Sequence, residues 1–168
     1  METRRITRIG LSVALALILS YVESQIPAFF SIPGIKIGLS NLAIVFSLYT
    51  LSFRDTLLVS FFKVFVSSLL FGSVVSLLYS LSGALLSLCG MEVMKKTRLF
   101  GIREVSVVGA ILHNMAQIAT AIVILGTSSI KYYIPFLIVS GTITGFFIGI
   151  ISSIIIKRME NDYSLNIK

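Results

Sequence analysis

Two ionisable side chains stand inside otherwise apolar runs, Lys63 in VSFFKVFVSS (59–68) and His113 in VVGAILHNMAQIATA (107–121). Such groups are rare at membrane depth, where a charge is costly unless it is paired or hydrated, so they mark cavities or pathways. Lys63 lies nine residues beyond Arg54, and His113 ten beyond Arg103. With a rise of about 1.5 Å per helical residue, the two side chains reach similar depth. Gln117 falls one turn further on the face of His113, and Asn114 points about 100° away from it. Asn41, Gly34, Lys36 and Gly38 come from the segment PGIKIGLSN (33–41). A glycine-flanked loop of this kind can present backbone N–H groups and a positive charge to a bound molecule. Together these residues predict a net-positive pocket for a small anion: Lys63 offsets charge, His113 and Gln117 supply directional hydrogen bonds, Asn41 braces the loop, and Lys36 closes it. The competing reading is a set of interhelical hydrogen bonds made by His113, Asn114 and Gln117, with Lys36 in water.

Other chemistry is poorly provided for. The chain has two aspartates, Asp55 and Asp162, and no paired carboxylates on one helix face. Magnesium-dependent diphosphate chemistry therefore has no ligands of the usual kind. There is no GxxxxGK[ST] phosphate loop and no GxGxxG, so nucleotide-powered work needs another subunit. Cys89 and His113 are each the sole residue of their type, which excludes an internal disulfide and a zinc-ligand spacing, and they fall on separate spans with no third group beside them, so a nucleophilic site is not expected. No cofactor is expected.

The elements that must position these residues are membrane helices. Of 168 residues 56% are hydrophobic and 12% charged, with mean hydropathy +1.00, more apolar surface than a water-soluble domain of this length can hide. A single membrane domain over 1–168 is expected, with six spans at about 9–25, 39–53, 56–74, 76–94, 105–126 and 132–156. Arg4, Arg5 and Arg8 before an apolar run imitate a signal peptide. No small-x-small cleavage site follows, so the run reads as a retained first helix. Lys and Arg set the orientation. With the N-terminus in the cytoplasm, eleven of the fourteen basic residues fall on the cytoplasmic side, Lys36 and Lys131 fall outside, and Lys63 is intramembrane. Both termini are expected to be cytoplasmic, in the plasma membrane of a bacterial-type cell. The net charge of +7 follows from this topology. It does not point to nucleic acid, because no aromatic residues interleave the scattered basic ones.

Small residues show where helices meet. Gly141, Gly145 and Gly149, continued by Ser153, suit close packing of the sixth span within the bundle. Ser12, Ala16 and Ser20, with Gly10 and Ala14 beside them, form a second row in the first span. That row suits either internal packing or the docking of a partner membrane protein.

PGIKIGLSNLAIVFSLY (33–49), SGALLSLCGMEVMKK (82–96), VSVVGAILHNMAQIATA (105–121) and YYIP (132–135), in this order, resemble the Gx transporter family, commonly labelled heptaprenyl diphosphate synthase component I. The resemblance covers about 7–157. That family is similar to the substrate-binding S components of energy-coupling factor transporters, small six-helix proteins with cytoplasmic termini. The resemblance implies an all-α, S-component-like bundle that binds a vitamin-, flavin- or isoprenoid-like molecule beneath its first loop. It also implies that Ser12, Ala16 and Ser20 dock a separate coupling subunit driven by two ATPases. The synthase label sits poorly with the residues, since the chain has no DDxxD motif. Under that label it would be a non-catalytic membrane subunit or anchor of heptaprenyl diphosphate or quinone synthesis, or of extracellular electron transfer. Beyond substrate and coupling subunit, membrane lipid is the only partner expected.

Overall fold

A computed structural model describes residues 2–26 and 38–165; Gly34 and Lys36 lie outside the described residues. The described chain is helical: α1 (Glu2–Gln25), α2 (Leu39–Thr50), α3 (Phe53–Phe71), α4 (Val74–Thr97), α5 (Ile102–Leu125), a short 3-10 turn (Ser128–Tyr133) and α6 (Ile134–Leu165). No strand occurs among the described residues. The helix order matches the six expected spans, with shifted ends. The connection between α2 and α3 is only Leu51–Ser52, and Asp55, expected in a loop, stands in the first turn of α3. Serine capping explains the short connections. Ser52 Oγ accepts the Asp55 N–H at 3.2 Å, and Ser73 Oγ accepts the Ser76 N–H at 3.1 Å. Each satisfies an amide that a new helix would leave bare.

Around the bundle the order is α1, α2, α6, α5, α4, α3, and the ring closes where α3 meets α1; α2 also touches α3. Ile44, Val45 and Leu48 of α2, Val59 of α3, Leu88 and Met91 of α4, Val105 of α5 and Ile148 of α6 form the apolar core. The outer faces carry exposed leucines, valines and phenylalanines, Leu69, Val74, Val123 and Phe147 among them. Lipid is the solvent that such a surface requires.

Among the described residues four helical segments are long and apolar enough to cross a bilayer: α1, α4, α5 and residues 128–161. α3 has the length but carries Arg54, Asp55 and Lys63 in its 19 residues. α2, with 12 residues, covers about 18 Å, well short of the roughly 30 Å of hydrocarbon.

The glycine row on α6 explains its tight seat on α5. A Cβ at Gly145 would stand 2.7 Å from Val107 Cα, and one at Gly149 2.7 Å from Arg103 Cα. Only hydrogen atoms fit there, so the two backbones touch.

Candidate functional site

The short α2 is held at both ends by charged side chains from other helices. At its start Gly38 has φ +81°, a left-handed conformation that glycine adopts without strain. Its N–H donates to Glu23 Oε1 at 2.5 Å, and Ser40 Oγ donates to Glu23 Oε2 at 3.3 Å. The Glu23 carboxylate, brought by the end of α1, thus meets the positive end of the α2 dipole. At the other end Lys95 of α4 donates to Leu48 O at 2.5 Å, with its ammonium 5.2 Å from the centre of the Tyr49 ring. A cation at a helix C-terminus is the complementary arrangement. Beside it Arg5 of α1 pairs with Asp55 of α3 at 2.5 Å. These lie outside the expected spans, and the Arg5 hydrogen bond, aided by Ser52, holds the Asp55 carboxyl below the usual carboxylate range against an opposing contribution from burial.

Between these two ends, where α2 to α6 face one another, lies a cavity of about 30 Å³. Gly38 and Asn41 line it from α2, Lys63 from α3, His113 from α5 and Thr144 from α6. Ser60 stands one turn from Lys63 and Ser106 two turns from His113, and these, with Ser87, share the deeper lining with Ile44, Val45, Met91 and Ile148. The layering follows from helix direction: α3 and α5 run one way, α2, α4 and α6 the other. Residues early in α2 therefore meet residues late in the lining faces of α3 and α5. Lys63, at 9% exposure, is buried. On α5 the wall is Ser106, Gly109, Ala110 and His113, a stripe at helical spacing. Gly83 of α4 makes room for the imidazole: a Cβ there would lie 2.9 Å from His113 Cε1.

The predicted site residues thus divide. Gly38, Asn41, Lys63 and His113 come together around one cavity. Asn114 instead ties α5 to α6, its Nδ2 donating to Leu137 O at 2.9 Å. Gln117 is half-buried and is not among the cavity residues. Gly34 and Lys36 fall in the segment outside the described residues.

The expected docking row on α1 lies partly inside the bundle. Ser12 and Ala16 are 8% and 0% exposed, covered by the chain itself where α1 packs on α2 and α3. Ser20 is half-buried, while Gly10 and Ala14 face outward. The small side chains of the row serve closure of the bundle, and a partner cannot reach Ala16.

Sequence reasoning missed the serine hydroxyls, Gly83 and the role of Glu23. Ser60 could have been found, being three residues before Lys63 on one helix face. Glu23 and Gly38 are fifteen positions apart, and no local pattern links them.

A bundle with this lipid-facing surface and a buried, partly polar cavity is a membrane-embedded protein. The chain belongs to the family described as heptaprenyl diphosphate synthase component I, whose model matches residues 12–155. No curated protein and no solved structure matches it.

Proposed function

We propose that this protein is a membrane substrate-binding subunit, S-component-like, that takes up a small anionic molecule of vitamin, flavin or isoprenoid type. The observation that carries the reading is the convergence of Lys63, His113, Asn41 and the Gly38 turn on one cavity whose deeper lining is partly apolar. A few polar groups at fixed positions among apolar residues are the usual composition of a small-molecule site. Such sites measure about 300–1,000 Å³, so the present 30 Å³ corresponds to a closed form that a vitamin-sized ligand must expand. The cavity end marked by Gly38 would face the outside, and both termini the cytoplasm of a bacterial-type cell. A coupling subunit with two ATPases would power uptake, docking on the outward side of α1, where Gly10 and Ala14 are exposed.

Native mass spectrometry tests the reading. The parent protein should retain an anionic small molecule, and folded Lys63→Met should lose it. A parent that carries no such adduct, with no anion uptake above control in cells expressing the coupling subunit, sinks the proposal. The family description favours a second reading, a non-catalytic subunit of heptaprenyl diphosphate synthesis. In that case the protein co-purifies with a prenyl synthase and its loss reduces prenyl product, while Lys63→Met leaves that activity unchanged.

A further inference from the structure

We infer that the deeper end of the cavity is a hydrogen-bonding subsite, which selects an anion whose far end carries carbonyl or ring-nitrogen atoms over one that ends in plain hydrocarbon. This rests on the reading of the cavity as a ligand site and narrows it. Ser60 of α3, Ser87 of α4 and Ser106 of α5 line this part of the cavity, each from a different helix. All three are buried, at no more than 6% exposure. A buried hydroxyl costs free energy unless it is hydrogen-bonded, and lipid offers it no partner. Elsewhere in the bundle hydroxyls find one within their own helix: Ser67 donates to Val64 O, Ser82 to Tyr79 O and Ser153 to Ile150 O. Ser60, Ser87 and Ser106 make no side-chain hydrogen bond to another described residue, so their hydroxyls are left for whatever fills the cavity.

A glycine keeps one of these oxygens accessible. Gly109 of α5 stands opposite Ser87, and a Cβ there would lie 3.2 Å from Ser87 Oγ. The hydroxyls lie deeper than Lys63 and His113 in the same cavity. An anion held beside Lys63 and His113 therefore reaches the serines with its opposite end. Each hydroxyl both donates and accepts a hydrogen bond, which suits a group that offers atoms of both kinds, such as a cyclic imide. A hydrocarbon pushed to this depth would displace water from the hydroxyls and return no hydrogen bond to them. A site built to hydrogen-bond its ligand rejects analogues that lack the matching groups, because its own buried polar groups are then left unpaired. Ile44, Val45 and Ile148 supply apolar contact beside the hydroxyls. Of the ligand types considered above, an isoprenyl chain is the poorest match to this lining.

Orotate and benzoate test the inference. Both carry one carboxylate on a six-membered ring, so the carboxylate's own interactions cancel in the comparison. Only orotate has carbonyl and N–H groups on the far side of the ring. Affinities are measured by calorimetry on the purified full-length protein in nanodiscs, for the parent, for folded Lys63→Met and for the triple variant Ser60→Ala, Ser87→Ala, Ser106→Ala. Orotate should bind the parent at least tenfold tighter than benzoate, about 1.4 kcal/mol. The triple variant should bring the two probes within about twofold of each other. Should the triple variant not fold, Ser106→Ala alone should cut the preference about fivefold. If benzoate binds the parent as tightly as orotate or tighter, or the serine variants keep the full preference, the hydroxyl subsite is overturned while the ligand site stands. If neither probe binds the parent more tightly than it binds Lys63→Met, the subsite and the ligand-site reading both fall.

Discussion

His113 owes its place to a residue with no side chain. Gly83 stands against the imidazole, and an added methyl would come within 2.9 Å of the ring. Gly83→Ala should therefore move His113 without altering any charge. The expected result is ligand binding weakened about tenfold with little loss of thermal stability, because the half-buried ring borders a cavity into which it can shift. His113→Ala should weaken binding to a similar degree by removing a hydrogen-bond partner. Normal binding by both variants would remove His113 from the site. The Arg5–Asp55 pair gives a prediction in pH. Its Asp55 carboxyl titrates below the usual range, so the stabilisation is fully present above about pH 3.9, the ordinary aspartate value. It is lost as pH falls through the lower, folded value. Melting in detergent should show Asp55→Asn less stable than the parent at neutral pH, the gap closing in acid. A gap that is constant with pH would mean that Asp55 contributes by packing alone.

Among the elements, α1 and α6 use small residues for the same purpose, and their outward faces differ from it. Ala16 is fully buried and Ala14 is exposed, two positions apart on one helix. Ala16→Leu should overpack the α1–α2–α3 contact and cost about 1–3 kcal/mol. Ala14→Leu should stay within about 0.5 kcal/mol of the parent. Equal melting temperatures for the two would contradict the orientation of α1. Gly149→Ala should likewise lower stability, since the new methyl meets Arg103 Cα at 2.7 Å and backbone cannot swing aside. The helices were legible in the sequence, and so was His113 on the lining face of α5, whereas Ser106, Gly109 and Ala110 on the same face carry no chemistry that marks them without the neighbouring helices. The sequence left the direction of the α1 row open: small residues permit close approach, and the pattern is identical whether the approaching helix belongs to this chain or another. The ends of α2 and α3 were misjudged by up to three residues because the Ser52 hydroxyl starts α3 within two positions of the end of α2. The separation of Gln117 from His113 was also beyond sequence. It depends on how far the cavity extends along α5, which the opposing α2 and α3 decide.

For the whole molecule, the distribution of Lys and Arg predicts an orientation. Lys95, Arg5 and the start of α3 share one end of the bundle, and Glu23 with Gly38 the other. Cysteine labelling of intact cells, in a background where Cys89 is replaced, should show Ser128→Cys reached by an impermeant reagent and Lys96→Cys protected. The reverse pattern would invert the topology and place the polar end of the cavity on the cytoplasmic side. Ring closure has a further consequence, in time. The cavity draws on residues from Gly38 to Ile148, and α2 completes the ring only against α6, made well after it. At synthesis rates of about 5–20 residues per second, α6 follows α2 by on the order of 5–20 s. Through that interval Lys63 and the hydroxyls of the deeper wall have been delivered to the membrane without the helix that completes their enclosure. A chain stopped before Ile134 should therefore be degraded faster than the full chain when both are followed in a chase experiment.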